Sequence, residues 1–578
     1  MQELEARVSE LTEALRQIEV RVRTLEQAAS RRPVAATAAK AAPASAAAPD
    51  EAGAGLALGK LLPLGGRTLL VLAGAFVLRA LTEAGAVPVA IGVGLGFAYA
   101  GTWILMAERA GRAGERLSSG FHGVAAAAIG FPLLFEASGR FGLLSPVAAA
   151  TLLALLSAVA LGVAAARNLE GLAWVLALGG TGTAIALMAV AGGRLAPAAL
   201  YLVLLGVATL WLGYVRDWVL LRWPVAFAAD LAALVVALSA TRPEAAEGPG
   251  AAFLVQAALL ALYLGSLATR TLFLQRRVVP FEVVQTVGAL LVGLGGAVFV
   301  AGRSGIGQRG FGAVALLLGL PTYAVAFAFV EHRQRIRANF YFYSSVAMVF
   351  VLAGTWLVFA TQGLALFWAA AGVASGWLAR RQKSSTLAVH GAVYACGSAL
   401  AAGLSDRAVE AAFSGPVGSS LPSLSSALVL ALLVATGWMT GGVPRETFSA
   451  RLPRLALMAA IALFAAALGA GALVPLVAGT GVGSGATAAT TRTAVLVAVA
   501  LALAWAGRRE AWDEARWLVY PLLGLTGLKV LFQELPQGRP ATLVVTFALY
   551  GAALILVPRL RHRPKPAPVS GAGADGAT

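Results

Sequence analysis

Ionisable residues set inside or at the edges of long apolar runs are the ones in this chain equipped for chemistry, and they form few groups. Arg79 and Glu83 sit four apart, as do Glu136 and Arg140, while Lys529, Glu534 and Arg539 follow one another at intervals of five. Residues four apart share a helix face, so each close pair can neutralise itself locally. Long side chains near a helix end can also carry their charge out to the interface. Arg79 and Lys529 lie about a turn deeper than that requires. A charge at such depth should face protein or water, not lipid. If the first, third and seventeenth apolar runs adjoin, these seven side chains frame a polar pocket. Its chemistry suits an anionic headgroup or a sugar, held by Arg79, Lys529 and Arg539.

Two further ionisable residues stand alone at mid-run: Asp230 in "WPVAFAADLAALVVALSA", and His390. A carboxylate at that depth is costly unless it faces a cavity or a partner. Asp230 therefore reads either as a proton or cation site or as a hydrogen bond to a neighbouring helix, and His390 presents the same choice. Gln256 and Gln285 read as links between helices. Gly92, Gly94 and Gly96 follow no strand, so they read as close helix packing and not as a nucleotide loop; Gly288, Gly293, Gly295 and Gly296 read the same way.

Several chemistries find no residues to carry them. There is one cysteine, Cys396, and the four histidines are scattered without metal-ligand spacing. No Ser/His/Asp or Cys/His set appears. The expectation is no catalytic residue, no cofactor and no metal site. The net charge of +17 would raise nucleic acid as a partner in a soluble protein. Here the arginines cluster between apolar runs, which points to membrane orientation and away from nucleic acid.

The elements that must position these residues follow from composition. Of 578 residues, 59% are hydrophobic and 12% are charged, with a mean hydropathy of +0.81. That is too little charge to cover a soluble protein of this size. Apolar runs recur from about 67–83 and 86–107 through to 516–533 and 539–557, eighteen in all, and they do not alternate as barrel strands would. The expected fold is all-α: a polytopic helical membrane protein with about eighteen transmembrane helices, preceded by an N-terminal coiled-coil helix. If the N-terminus is cytoplasmic, the loops after even-numbered helices hold twenty-one basic residues and the opposite loops hold eight. The bias runs from end to end, as the positive-inside rule requires. The expected orientation has both termini cytoplasmic.

Residues 1–27 carry a different signal. Leu4, Val8, Leu11, Leu15, Ile18, Val22 and Leu25 alternate spacings of four and three, an unbroken a/d seam. The seam reads as a coiled coil for self-association or a protein partner through residues 4–26, or as an amphipathic helix lying on a surface. Residues 28–63 form an Ala/Pro-rich flexible linker. Residues 64–558 form the transmembrane domain, and 559–578 a basic, disordered tail.

Two stretches resemble a known family. "LGGRTLLVLAGAFVLRALTEAGAVP", Leu64 to Pro88, is similar to its first helix, with a basic and an acidic residue four apart near a glycine. "GLTGLKVLFQELPQGRP", Gly524 to Pro540, is similar to its closing pattern of Lys, an acid, then Arg. With the coiled coil and linker, these resemble the bacterial membrane proteins grouped as domain of unknown function 2339. The resemblance implies a polytopic protein of the bacterial inner membrane and brings no catalytic residue with it.

Function stays open between classes. One reading is transport or flipping of a lipidic or cell-envelope substrate. Another is a non-catalytic scaffold whose rod recruits partners or dimerises. A third is an envelope transferase. A transporter needs a continuous polar path, a scaffold a packed interior, and a transferase a carboxylate or His facing a cleft. A reporter fused after Arg563 is expected to read cytoplasmic; a periplasmic signal would overturn the helix count.

Overall fold

The computed structural model describes residues 73–334, 336–404, 406–408, 423–443, 448–479, 484–509 and 512–561. The chain divides into two compact units, Met1–Gly74 and Ala75–Thr578, and from Ala75 onward the described helices belong to the second. The expected coiled coil, the linker and residues 562–578 lie outside the described residues.

Every described element is a helix or a turn, with no strand among the described residues. In chain order they are α1 (73–83), α2 (Val89–Arg112), α3 (Arg116–Gly139), α4 (Pro146–Ala166), α5 (Glu170–Val190), α6 (Ala196–Val215), α7 (Arg222–Ser239) and α8 (Pro249–Phe273). Then come α9 (Pro280–Arg303), α10 (Arg309–Ala328), α11 (Arg337–Val358), α12 (Thr361–Gln382), α13 (Ser385–Ala401) and α14 (Leu424–Met439). The last four are α15 (Phe448–Ala478), α16 (Ser484–Ala506), α17 (Ala515–Glu534) and α18 (Pro540–Arg561). Each of the eighteen apolar runs thus contains a helix. Fifteen of them are long and apolar enough to cross a membrane. The other three are α1, described only from residue 73, α13 with 17 residues and α14 with 16.

Local sequence explains many of the ends. Pro146, Pro249 and Pro280 sit in the first turns of α4, α8 and α9, where a missing N–H breaks no bond. Ser145 caps α4 by accepting from the Ala148 amide, and Glu282 accepts from the Val279 amide ahead of α9. Asn168 and Asp217 take left-handed backbone just past α4 and α6, ending both helices.

The core has two main regions. One continuous apolar cluster runs through α2–α9, and further clusters join α12–α15 and α15–α18. Helices α10 and α11 pack on each other between them, backbone against backbone. A Cβ at Gly312 would lie 2.8 Å from the Gly354 carbonyl oxygen, and one at Gly354 would lie 2.9 Å from that of Gly312. The outside is apolar as well: Phe227, Leu291 and Leu317 are 70%, 69% and 72% exposed. An exposed belt of that kind is penalised in water and unpenalised in lipid. The chain is an integral, multi-pass membrane protein.

Gly312→Ala should destabilise the protein by about 1–3 kcal/mol through overpacking. Gly310→Ala, into open space two residues earlier, should leave the thermal midpoint in detergent unchanged.

Candidate functional site

The seven charged residues expected to share one pocket resolve into two networks. In the first, the C-terminal ends of α1 and α3 come together. Arg79 Nε lies 3.0 Å from Glu83 Oε1, and Arg79 Nη1 reaches across to Glu136 Oε1 at 2.8 Å. Arg140 Nη1 returns the contact to Glu83 Oε1 at 2.8 Å. Two bases and two acids close on each other across the two helices. All four are partly open to the surroundings, so each contact is of the weak, screened kind.

The second network is deep. Lys529 and Glu534 are 1% and 2% exposed and meet at 2.6 Å. The Lys529 ammonium also donates to the Ala489 carbonyl at 3.0 Å and to Thr493 Oγ1 at 2.9 Å. Glu534 accepts from Thr493, and from Thr546 Oγ1 at 2.6 Å. Helices α16, α17 and α18 are thus tied at one point. The reason lies in the chain: Pro536 has no N–H to extend the ladder. The turn before it widens into a π turn, Val530–Glu534, in which Leu535 donates five residues back to Val530. That wider turn lets side chains five apart, Lys529 and Glu534, face the same side.

No hydrogen bond or ion pair among the described residues joins the two networks, so the structure does not assemble the single pocket. Arg539 enters neither. Its side chain is exposed, and only its backbone pairs with Thr542.

The two solitary residues both have partners. Asp230 on α7 accepts from the Gln285 amide of α9 at 3.0 and 3.2 Å. His390 on α13 lies 3.3 Å from the Tyr323 hydroxyl, which is itself 3.2 Å from that of Tyr394. Gln285 links helices as expected. Gln256 does not: its amide is buried and makes no hydrogen bond.

Two buried charge groups were missed from the sequence: Arg454 with Glu514, 3.3 Å apart, and a cluster around Glu282. Glu282 accepts from Tyr214 at 2.6 Å and from Arg270 at 2.7 Å, joining α6, α8 and α9. Arg222 of α7 stacks over Phe281 at 4.5 Å. These charges sit at loop edges, where they look solvated. For Glu282 the available signal was an acid in the first turn of an apolar helix that opens on proline.

Two grooves with mostly apolar linings stand out. One, of about 690 Å³, is lined by α11–α13 and α15 and includes Trp356, Trp368 and Cys396. The other, of about 820 Å³, runs between α15, α16 and α18. Its lining is almost wholly apolar except for Thr487, Thr490, Thr491 and Thr542. Those four lie in the first two turns of α16 and the first of α18, and Thr490 touches Thr546 of the Lys529 network at 3.0 Å. Neither groove is lined by a carboxylate or a histidine, and the described residues hold no acid/His/Cys group able to bind a metal ion.

Comparison with known proteins finds no matching family model, curated protein or solved structure.

Replacing one partner of a buried ion pair leaves the other charge stranded. Lys529→Met or Glu534→Gln alone should destabilise by about 3–5 kcal/mol, and the double variant by clearly less, read from unfolding midpoints in detergent.

Proposed function

We propose that the chain binds a long-chain lipid with an anionic headgroup and carries it between leaflets of the bacterial inner membrane. The α15–α16–α18 groove carries this reading. On α16 it extends from Thr487 to Ala502, roughly 23 Å at ~1.5 Å per residue. One leaflet of a ~30 Å hydrocarbon core is only ~15 Å deep. A groove longer than one leaflet suits a chain that passes the midplane.

Its ends differ chemically. The deep end is formed by Ala465, Ala498, Ala502 and Leu549, small or apolar residues against which a hydrocarbon chain can lie. The other end holds the four threonines: Thr490, Thr491 and Thr542 donate within the protein and keep oxygens that can accept, while the Thr487 hydroxyl can donate to a phosphate or sugar oxygen. Exposed Arg539 stands at the start of α18, three residues from Thr542, and supplies positive charge at that end. The even-loop arginine bias puts this end on the periplasmic side with both termini in the cytoplasm. The two stretches that resemble the domain of unknown function 2339 family contain Arg79 with Glu83 and Lys529 with Glu534. Membership of that family is part of the reading.

Ala498 lines the groove with its side chain exposed, so Ala498→Trp should fill the groove without disturbing the core. Wild-type protein should retain anionic lipid through detergent purification, seen by native mass spectrometry. The variant should retain at least about tenfold less, the scale of one lost ~1.4 kcal/mol contact. Vesicles with the wild type should move a headgroup-labelled anionic lipid between leaflets. If they do not, and deleting residues 1–60 lowers the oligomeric mass, the scaffold reading replaces this one.

A further inference from the structure

A column of buried polar groups crosses part of the α6–α9 region, away from the lipid groove. At one end, where α6 and α8 finish and α7 and α9 begin, lies the Tyr214–Glu282–Arg270 cluster with Arg222 beside it. That end also carries Arg216, Arg276 and Arg277. One helical turn along α9 from Glu282 comes Gln285, about 4.5 Å farther at ~1.5 Å per residue. Its amide holds the Asp230 carboxylate of α7. The Tyr263 hydroxyl of α8 and Ala229, the residue before Asp230 on α7, meet over the same point of α6: a Cβ on Gly206 would touch the hydroxyl and lie 3.7 Å from Ala229 Cβ. Two turns farther along α8 is Gln256.

Two members of this column are anomalous. Tyr263 and Gln256 are 3% and 1% exposed, yet the Tyr263 hydroxyl and both polar atoms of the Gln256 amide make no hydrogen bond. Buried polar side chains are normally paired, and an unpaired one invites a functional explanation. The surrounding helices keep space for these heads by giving up side chains. A Cβ on Gly288 would meet Asp230 Oδ2 at 2.7 Å, and one on Gly296 would meet Gln256 Nε2 at 2.7 Å. A Cβ on Gly206 of α6 would collide with the Tyr263 hydroxyl. Helix α9 also opens into a π turn, Leu290–Gly295, between Gly288 and Gly296. Such turns recur at functional sites.

Asp230 has no cationic partner among the described residues. Its hydrogen-bonding partner is a neutral amide, and every charged group facing it from a packed helix is a full turn or more away. Those groups are Glu282 on α9, Arg270 on α8 and Arg222 on its own helix. Tyr263 on α8 and Tyr214 on α6 are the titratable neutral ones. Helix α5, which also packs on α7, has its one charged residue, Glu170, at its first position. A lone carboxylate at membrane depth is unfavourable as an anion, and a single proton removes the charge. A metal cation would want several oxygen ligands, but one amide donates N–H to both carboxylate oxygens and no second carboxylate stands beside it.

We propose that Asp230 is a reversible proton-binding site, supplied from the arginine-bearing end of α6–α9 through the Glu282–Tyr214 cluster and Tyr263. The proton adds to a carboxylate oxygen of Asp230, and the Tyr263 hydroxyl, which can both donate and accept, is the group placed to pass it on. Past Gly296, whose Cβ would meet the Gln256 amide, α9 continues with Ala297, Val300 and Ala301, which are buried and apolar. The site stands independently of whether the α15–α18 groove holds lipid.

A hydrophobic carbodiimide tests this directly, because it adds to a protonated carboxyl in an apolar setting and not to a carboxylate. The full chain in lipid vesicles is treated across a range of pH, and the peptide containing residue 230 is weighed. Labelling at Asp230 should fall about tenfold per pH unit on the alkaline side of its midpoint, the signature of one proton. Sodium should not protect it. Infrared spectra of the untreated wild type should show a protonated-carboxyl band that Asp230→Asn, a near-isosteric change, removes. Absence of labelling at every pH, or labelling indifferent to pH, would overturn the proposal. Protection by sodium would overturn it in favour of a cation site.

Discussion

Lipid supplies no hydrogen bonds, and most of the structure follows from that. Each helix closes its own backbone ladder, so the polar groups left to satisfy inside the body are side chains. Most find another side chain, a carbonyl one turn back on their own helix, or a spare carbonyl on a neighbouring helix; Gln256 and Tyr263 find none. The Lys529 ammonium takes side chains and a carbonyl at once, bonding Glu534, Thr493 and the Ala489 carbonyl. Because those partners sit on α16 and α17, with Thr546 of α18 closing the set, satisfying one buried charge fixes three helices against each other.

Burial separates the networks into different kinds of object. Arg79, Glu83, Glu136 and Arg140 form a chain of three ion pairs, Glu136–Arg79–Glu83–Arg140, but exposure screens them, so each contact is weak. Lys529 and Glu534 have no such screening, so losing either strands a charge in a medium that cannot solvate it. The first network tethers two helix ends. The second acts as a structural knot beside the threonine end of the proposed lipid groove.

Glycine plays a second part beside close packing. At Gly312 and Gly354 the absence of Cβ lets two backbones touch. At Gly288 and Gly296 it leaves space for polar heads, those of Asp230 and Gln256. The proposed lipid groove and the polar column sit in different helix sets, the groove in α15, α16 and α18 and the column in α6–α9.

The sequence by itself determined the helices, because a run of about twenty apolar residues has no other stable form in a membrane. Proline, glycine and arginine marked the ends of those runs, so all eighteen segments were legible. It also determined which ionisable residues stand in or beside apolar segments, since their neighbours along the chain reveal it. Partners were another matter. Nothing local says that Lys529 meets Thr493 rather than Arg79, that Glu282 joins α6, α8 and α9, or that Tyr263 stands near Asp230. Those pairings depend on which helices adjoin and how each is rotated about its axis. Near-uniform apolar helices carry little amphipathic signal to fix either one. Only the tertiary structure, where small residues choose the close contacts and buried charges choose their neighbours, decided them.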